Sequence, residues 1–111
     1  MTELEEKLLG AVEKFKAKIA EKPDYKKELE GWKRSVLIDS GEEKYHFLIE
    51  DAQVKDFQAG PMEMADIKIF SDNQTLIGLL DGEISPMKAY AKKQLQLKAS
   101  LSDVLKIRKF F

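Results

Sequence analysis

The stretch of sequence that decides the fold covers residues 65–100 and reads ADIKIFSDNQTLIGLLDGEISPMKAYAKKQLQLKAS. Apolar and polar residues alternate over residues 65–70, which predicts a strand with one apolar face. Ser71 and Gln74 follow at capping-box spacing, which satisfies orphan backbone donors at the start of a helix. Gly82 comes after the last apolar residues of this helix and is typical of a helix C-terminus. The stretch therefore opens as a strand followed by a helix.

The second half of the same stretch predicts another helix and another strand. Ser85-Pro86 combines an N-cap residue with a proline at the first helical position. Met87, Tyr90 and Ala91 form the apolar side that we expect of this helix. Leucines then alternate with glutamines over residues 94–97, which indicates a short strand.

The residues before this stretch predict one long helix and three strands. Apolar residues recur at helical spacing from Leu4 to Ile19, and Pro23 cannot continue this helix. The period then changes to two over residues 32–39 and 45–49, with a shorter and weaker run at 54–57. Short connections between consecutive strands favour an antiparallel meander.

The complete order is a helix, four strands, two helices, a strand and a final helix that begins at Ser100. Because the strands and helices are only partly interleaved, the fold class is α+β. A length of 111 residues is that of one domain, so we expect a single domain over residues 1–111.

Composition excludes several classes of function. The chain has no cysteine and one histidine, His46, so we expect no metal and no cofactor, and His46 is interpreted as a structural strand residue. The glycines are isolated, which excludes a phosphate-cradling loop for a nucleotide. The 19 basic and 20 acidic residues leave a net charge of −1, which disfavours nucleic acid as a partner. An acidic start and the absence of a long apolar run predict a cytoplasmic protein.

Taken in order, these segments resemble the sterol-carrier-protein type 2 domain family over nearly the whole chain. The segments that carry the resemblance are Ala65-Asp66-Ile67-Lys68-Ile69-Phe70, Leu76-Ile77-Gly78-Leu79-Leu80-Asp81-Gly82, Ser85-Pro86-Met87-Lys88-Ala89-Tyr90-Ala91, and the hairpin formed by residues 36–39 and 45–50. Family members usually have a glycine before the last strand and a Gly-Asp after it. Both glycines are missing from residues 92–100 of this chain.

The resemblance implies a five-stranded, mostly antiparallel sheet covered by helices, with a hydrophobic tunnel between them. It implies that the domain binds and carries apolar small molecules, namely fatty acids, fatty acyl-CoA or sterol-like lipids, and that it is not an enzyme. The alternative is a protein-interaction or structural module of the same fold in which the tunnel is collapsed.

The resemblance and the flexibility of methionine together predict a set of ligand-binding residues. They are Met62, Met64, Phe70, Leu76, Leu80, Met87, Tyr90, Phe110 and Phe111. Tyr90 or Arg34 is expected to supply one polar group at the tunnel mouth. Ordinary core filling is the open alternative for the methionines. Phe110 and Phe111 either plug the mouth or make a simple packing contact.

Charge is distributed unevenly along the chain. From Lys88 onward there are seven basic residues and one acid, Asp103, whereas the preceding part has 12 basic and 19 acidic residues. This dipolar pattern predicts transient docking at an anionic membrane surface, where a carrier loads or releases its cargo. The alternative is that these lysines pair with acids of the first helix or are solvated.

Overall fold

The computed structural model describes residues 2–108, apart from the side chain of Arg108. The elements of this part of the chain are α1 (Glu3–Glu21), α2 (Pro23–Leu29), β1 (Lys33–Asp39), β2 (Lys44–Glu50), β3 (Gln53–Ala59), β4 (Ile67–Phe70), α3 (Asn73–Leu80), α4 (Pro86–Ala91), β5 (Gln96–Lys98) and α5 (Leu101–Arg108). The predicted order of helices and strands is confirmed, with α2 as an additional helix.

Helices α1 and α2 follow from local sequence signals. Thr2 Oγ1 accepts a hydrogen bond from the backbone N–H of Glu5 at 3.2 Å, which caps α1. Pro23 opens α2 in its first turn, where the missing N–H of proline costs no hydrogen bond. This helix also buries Leu29, which is 1% exposed.

The five strands form one sheet in the order β3-β2-β1-β4-β5. Strands β1, β2 and β3 are an antiparallel meander, as predicted, and β5 is antiparallel to β4. The prediction was wrong for β4, which pairs in parallel with the free edge of β1. Asp66 fixes this arrangement, because its Oδ2 accepts hydrogen bonds from the Ser35 N–H at 2.9 Å and the Ser35 hydroxyl at 3.0 Å. The sheet is therefore mixed but mostly antiparallel.

Strand β3 is longer than the sequence indicated. It runs for seven residues and pairs with β2 on both sides of an irregularity between His46 and Leu48. Asp56 adopts a positive φ of 56° at this point. An extra residue of this kind breaks the alternation of apolar side chains, so the strand appeared short in the sequence.

The core lies between the helices and one face of the sheet. Its largest fully buried side chains are Leu4 of α1, Leu29 of α2 and Ile67 of β4. Val36 and Ile38 of β1 belong to the same buried cluster. Helices and sheet therefore pack as two layers, which confirms the predicted α+β fold.

Helix α3 begins one residue later than predicted. Asp72 rather than Ser71 is the N-cap, and its Oδ1 accepts the backbone N–H of Thr75 at 2.7 Å. Ser71 instead donates its hydroxyl to the backbone carbonyl of Gln94 at 2.7 Å. A carboxylate is an equally good cap and also interacts favourably with the positive end of the helix dipole.

Candidate functional site

The apolar layer between the sheet and the helices leaves aromatic side chains of β2 and β3 partly exposed to solvent. Phe57 of β3 stacks against Tyr45 and Phe47 of β2, with ring centroids 5.7 and 6.0 Å apart. Tyr45 is buried, but Phe47 and Phe57 keep part of their surface exposed. Aromatic surface that the protein itself does not bury is available to an apolar ligand.

The helices contribute further half-buried apolar side chains to this layer. Phe15 and Ile19 of α1 and Leu80 of α3 pack against the buried cluster without being fully covered. Ile69 of β4 and Leu97 of β5 do the same near the β5 edge of the sheet. The layer thus has a closed centre and incompletely covered margins, and these margins are the candidate site for an apolar molecule.

A buried carboxylate attaches α5 to the first strand. Asp103 is 5% exposed and accepts hydrogen bonds from Arg34 Nε at 2.9 Å and from Trp32 Nε1 at 3.2 Å. Burial raises the pKa of Asp103, but the hydrogen bonds and charge of Arg34, with Trp32 and Ser100, outweigh it and hold this pKa below its usual range. Lys106 also donates to the Glu28 carbonyl at 2.7 Å, which ties α5 to α2.

A second polar cluster joins the N-terminal ends of α1 and α3 to β2. Glu43 Oε1 accepts hydrogen bonds from the hydroxyls of Thr2 and Tyr45, each at 2.5 Å, and Glu43 Oε2 accepts one from Asn73 Nδ2 at 2.8 Å. These bonds lower the pKa of Glu43, first through Thr2 and then Tyr45. Burial and the neighbouring Glu43 raise the pKa of Tyr45. These hydrogen bonds hold the N-terminal ends of α1 and α3 together, so the cluster has a structural role.

Two surface depressions accompany the apolar layer. One, of about 460 Å³, lies between residues 82–85 and α4, and its lining includes Lys88, Ala89 and Lys92. The other, of about 270 Å³, lies between α2 and α5, where Glu28 and Leu105 contribute to it. Both have polar and apolar walls.

The structure separates the predicted ligand residues into groups. Leu76 is 5% exposed and belongs to the closed core. Met62, Phe70 and Leu80 are half-buried, and Lys98 Nζ lies 5.5 Å from the centre of the Phe70 ring. Of the predicted set, Leu76 and Leu80 therefore contact the apolar layer directly.

Other members of the predicted set lie at the surface. Met64, Met87 and Tyr90 are 90%, 67% and 61% exposed. The apolar side predicted for the helix at residue 86 is wrong, because α4 turns Ala89 into the structure and Met87 and Tyr90 outward. Phe110 and Phe111 lie outside the described residues. As ligand contacts, all of these residues stay a prediction.

The polar residues considered in the sequence have structural partners. Arg34, one candidate for the tunnel mouth, is already paired with Asp103. His46 Nδ1 lies 2.9 Å from the backbone carbonyl of Gly60 and so donates to it. Among residues 2–108 no cluster of three or more metal-ligating side chains is found. No helix in the described part of the chain is long and apolar enough to cross a membrane.

Sequence reasoning missed two features of this region. The stack of Phe57 on Tyr45 and Phe47 was not recognised as part of the candidate site, because β3 was interpreted as short. The alternation of aromatic residues in β2 was the available signal. In the sequence Asp103 stood out only as the one acid from Lys88 onward, and nothing local in the sequence indicates its pairing with Arg34 about seventy residues earlier.

Comparison with known proteins gives a consistent result. The model of the SCP-2 sterol transfer family matches residues 12–111. A search of curated protein sequences found no match. The crystal structure of sterol carrier protein 2 is 19% identical over 91% of this chain and 90% of that one, with a TM-score of 0.59. The sterol carrier protein domain 2 of Helicoverpa armigera is 10% identical over 93% of this chain and 84% of that one, with a TM-score of 0.62.

A similar domain also occurs within a larger protein. The stereoselective inverting sec-alkylsulfatase of Pseudomonas sp. is 11% identical over 77% of this chain, with a TM-score of 0.59. The chain spans only 13% of the length of that protein. At such identities the likeness to solved structures establishes the fold alone.

Proposed function

Because the chain belongs to the SCP-2 sterol transfer family, we propose that it binds and carries apolar small molecules without catalysing a reaction. Family and fold together imply the binding and transfer of lipids or sterols. Fatty acids, fatty acyl-CoA and sterol-like lipids are the proposed cargo. The proposed binding space is the margin of the apolar layer, extending toward the other predicted ligand residues.

The observation that carries this proposal is the set of half-buried apolar side chains between sheet and helices. Phe15, Phe47, Phe57 and Leu80 pack against the closed core but stay partly open to solvent. Each CH₂ group that a ligand moves from water onto such surface gains about 0.8 kcal/mol. A chain of about sixteen carbons thus supplies on the order of 10 kcal/mol before the entropic costs of binding.

Extraction of bound lipid from the purified protein tests the proposal most directly. The protein is denatured and the released molecules are identified by mass spectrometry. Displacement of a fluorescent fatty acid by a panel of fatty acids, acyl-CoA and sterols then measures affinity. We expect saturable binding in the micromolar range or tighter. If nothing is released and no member of the panel binds, the lipid-binding proposal is wrong.

A matched pair of variants locates the binding space. Leu80→Trp adds bulk at a half-buried position of the apolar layer, so we expect ligand capacity to fall. Leu101→Trp makes the same change at a side chain that is 75% exposed and should leave ligand binding unchanged. Thermal unfolding of both variants provides the control, because overpacking of a closed core costs about 1–3 kcal/mol. Loss of stability in Leu80→Trp with unchanged binding would place Leu80 in the core instead.

A second candidate is a protein-interaction module with a collapsed tunnel. It is favoured by Leu76, which was predicted to contact ligand but is packed in the closed core at 5% exposure. The same extraction and displacement experiments separate the two candidates, because a collapsed tunnel binds no lipid.

Docking at an anionic membrane is the proposed route for loading and release. Helix α4 presents Met87 and Tyr90 to solvent, and the exposed Lys92 and Lys93 follow it. Apolar side chains beside cations are typical of surfaces that enter the membrane interface. Co-sedimentation with anionic vesicles should exceed that with neutral vesicles and weaken as salt shortens the Debye length. Equal binding to both vesicle types would contradict membrane docking while leaving cargo binding untouched.

A further inference from the structure

The depression beside α4 has walls that are fixed by backbone contacts. It is lined by Gly82, Glu83, Ile84, Ser85, Lys88, Ala89, Lys92 and Gln94 and has a volume of about 460 Å³. The N–H groups of Glu83 and Ile84 both donate to the Gly78 carbonyl, at 2.9 and 3.1 Å. A Cβ at Gly78 would lie 2.4 Å from Ile84 Cδ1, so the Ile84 side chain lies directly against the backbone of α3. This apolar wall is therefore preformed.

The opposite wall is closed by the end of α4. The N–H of Gln94 donates to the Ala89 carbonyl at 2.9 Å, and Lys93 adopts a positive φ of 62° where the chain turns. Ala89 is 1% exposed and holds α4 against the rest of the structure. A volume of this size falls within the range of small-molecule clefts.

Two cations on this wall have no anionic partner among residues 2–107. Lys88 of α4 and Lys92, the C-cap residue of that helix, lie about one helical turn apart, and both line the cleft. Neither forms an ion pair with a described residue, whereas Lys7, Lys33 and Lys44 all do. Like charges at this spacing repel each other. An anion between them relieves that repulsion.

The carboxylate on the lining, Glu83, also acts electrostatically on a cation outside the cleft. The pKa of Lys7 is raised mainly by its hydrogen bond to Asp81, and the charge of Glu83 contributes to the same shift. Glu83 therefore lies within the electrostatic reach of Lys7 on α1. Ser85 is placed to assist an anion, because its oxygen accepts the Lys88 N–H while its hydroxyl hydrogen has no acceptor in the described part of the chain.

From this geometry we infer that Lys88 and Lys92 bind the anionic head group of an amphipathic ligand, a carboxylate or a phosphate, whose first methylenes lie on the half-buried Ile84. The inference rests on the proposed lipid-binding function and narrows it to ligands with a charged head. Arg34 was the other basic candidate for a polar mouth, but Asp103 already neutralises it. The cleft is open to solvent, so its ion pairs are weakened by salt.

The test compares two probes that differ only in their head group. Laurate and dodecanol are titrated as monomers into the full-length protein, into Lys88→Gln/Lys92→Gln, and into Lys14→Gln/Lys18→Gln. The last variant is the matched control, because Lys14 and Lys18 are exposed, have the same spacing on α1 and form no ion pair with a described residue. In the cleft variant we expect laurate affinity to fall about threefold to tenfold, as two exposed ion pairs allow, with dodecanol affinity unchanged. In the control both affinities should stay constant.

The remaining results separate failure of the head-group site from failure of the lipid-binding proposal. If laurate affinity is unchanged, or if laurate and dodecanol weaken equally, the head-group site is wrong, although the lipid-binding proposal survives. If the unaltered protein binds neither probe, the lipid-binding proposal fails and this inference fails with it. The last measurement is binding of the same variants to vesicles that contain phosphatidylglycerol. Loss of vesicle binding in the cleft variant with unchanged laurate affinity would assign the lysines to a membrane surface and overturn a cargo site.

Discussion

Replacement of Asp103 by asparagine probes the contact that holds α5 against the sheet. Asp103 accepts hydrogen bonds from Arg34 at 2.9 Å and Trp32 at 3.2 Å. Asparagine has nearly the same shape and retains one acceptor oxygen, but it loses the charge and one of these bonds. A hydrogen bond to a charged group contributes about 1.5–3 kcal/mol. Because the Arg34 side chain is 35% exposed, solvent weakens this interaction, and we use the lower end of that range. We therefore expect Asp103→Asn to lower the free energy of unfolding by about 1.5 kcal/mol.

Urea and thermal unfolding measure this loss. Trp32 is the only tryptophan of the chain and donates to Asp103 directly, so its fluorescence reports on the same contact. For a domain of this size 1.5 kcal/mol corresponds to a decrease in Tm of about 6 °C. Asp24→Asn is the control, because Asp24 is an exposed residue in the first turn of α2. This substitution should change the free energy of unfolding by less than about 0.5 kcal/mol.

The pH dependence adds an independent check. The folded-state pKa of Asp103 is lowered from 3.8, so the folded protein binds this proton less readily than the unfolded chain. Its contribution is therefore complete above the unfolded pKa and disappears as pH falls through the folded pKa. We expect the stability difference between the protein and Asp103→Asn to be constant near neutral pH and to shrink below about pH 4. A difference below about 0.5 kcal/mol at pH 7, or one that does not shrink in acid, would refute the reasoning.

Two further predictions concern close packing and exposure. Gly78→Ala should lower the free energy of unfolding by about 1–3 kcal/mol, because the new Cβ would lie 2.4 Å from Ile84 Cδ1. At Gly10 of α1 a new Cβ would meet no described atom within 4 Å, so Gly10→Ala should raise the free energy of unfolding by about 0.5–1 kcal/mol. Urea unfolding of the two variants measures both changes. Equal effects of Gly78→Ala and Gly10→Ala would contradict the close approach of Ile84 to Gly78. Leu29→Ala should cost about 2–5 kcal/mol because Leu29 is 1% exposed, while Met87→Ala at 67% exposure should change stability by less than about 0.5 kcal/mol. A large decrease in Tm for Met87→Ala would show that the side chain is buried in solution.

Local signals in the sequence were sufficient to place most helices and strands. The spacing of apolar residues from Leu4 to Ile19 and the cap at Thr2 specify α1, because both act within a few turns of one helix. The alternation over residues 32–39 and 45–49 specifies β1 and β2 for the same reason. The ordered set of segments also led to the family that the comparison then confirmed.

Pairing over long distances in the chain was decided only by the tertiary structure. The position of β4 depends on the edge of β1 that the meander leaves free, and Asp66 reaches Ser35 only once both strands are in place. Periodicity records which face of an element is apolar, but not which neighbour covers it.

The candidate site shows the same division between sequence and structure. Composition and resemblance indicated apolar ligands, whereas Met87 and Tyr90 lie outward because Ala89 takes the buried position of α4. The sequence contains the basic residues at 88 and 92, and it specifies a helix for them. That both line one cleft and form no ion pair with a described residue is a property of the packed structure alone. Residue types and local periodicity are written in the sequence, but the burial and charge environment of a side chain depend on neighbours that only folding brings together.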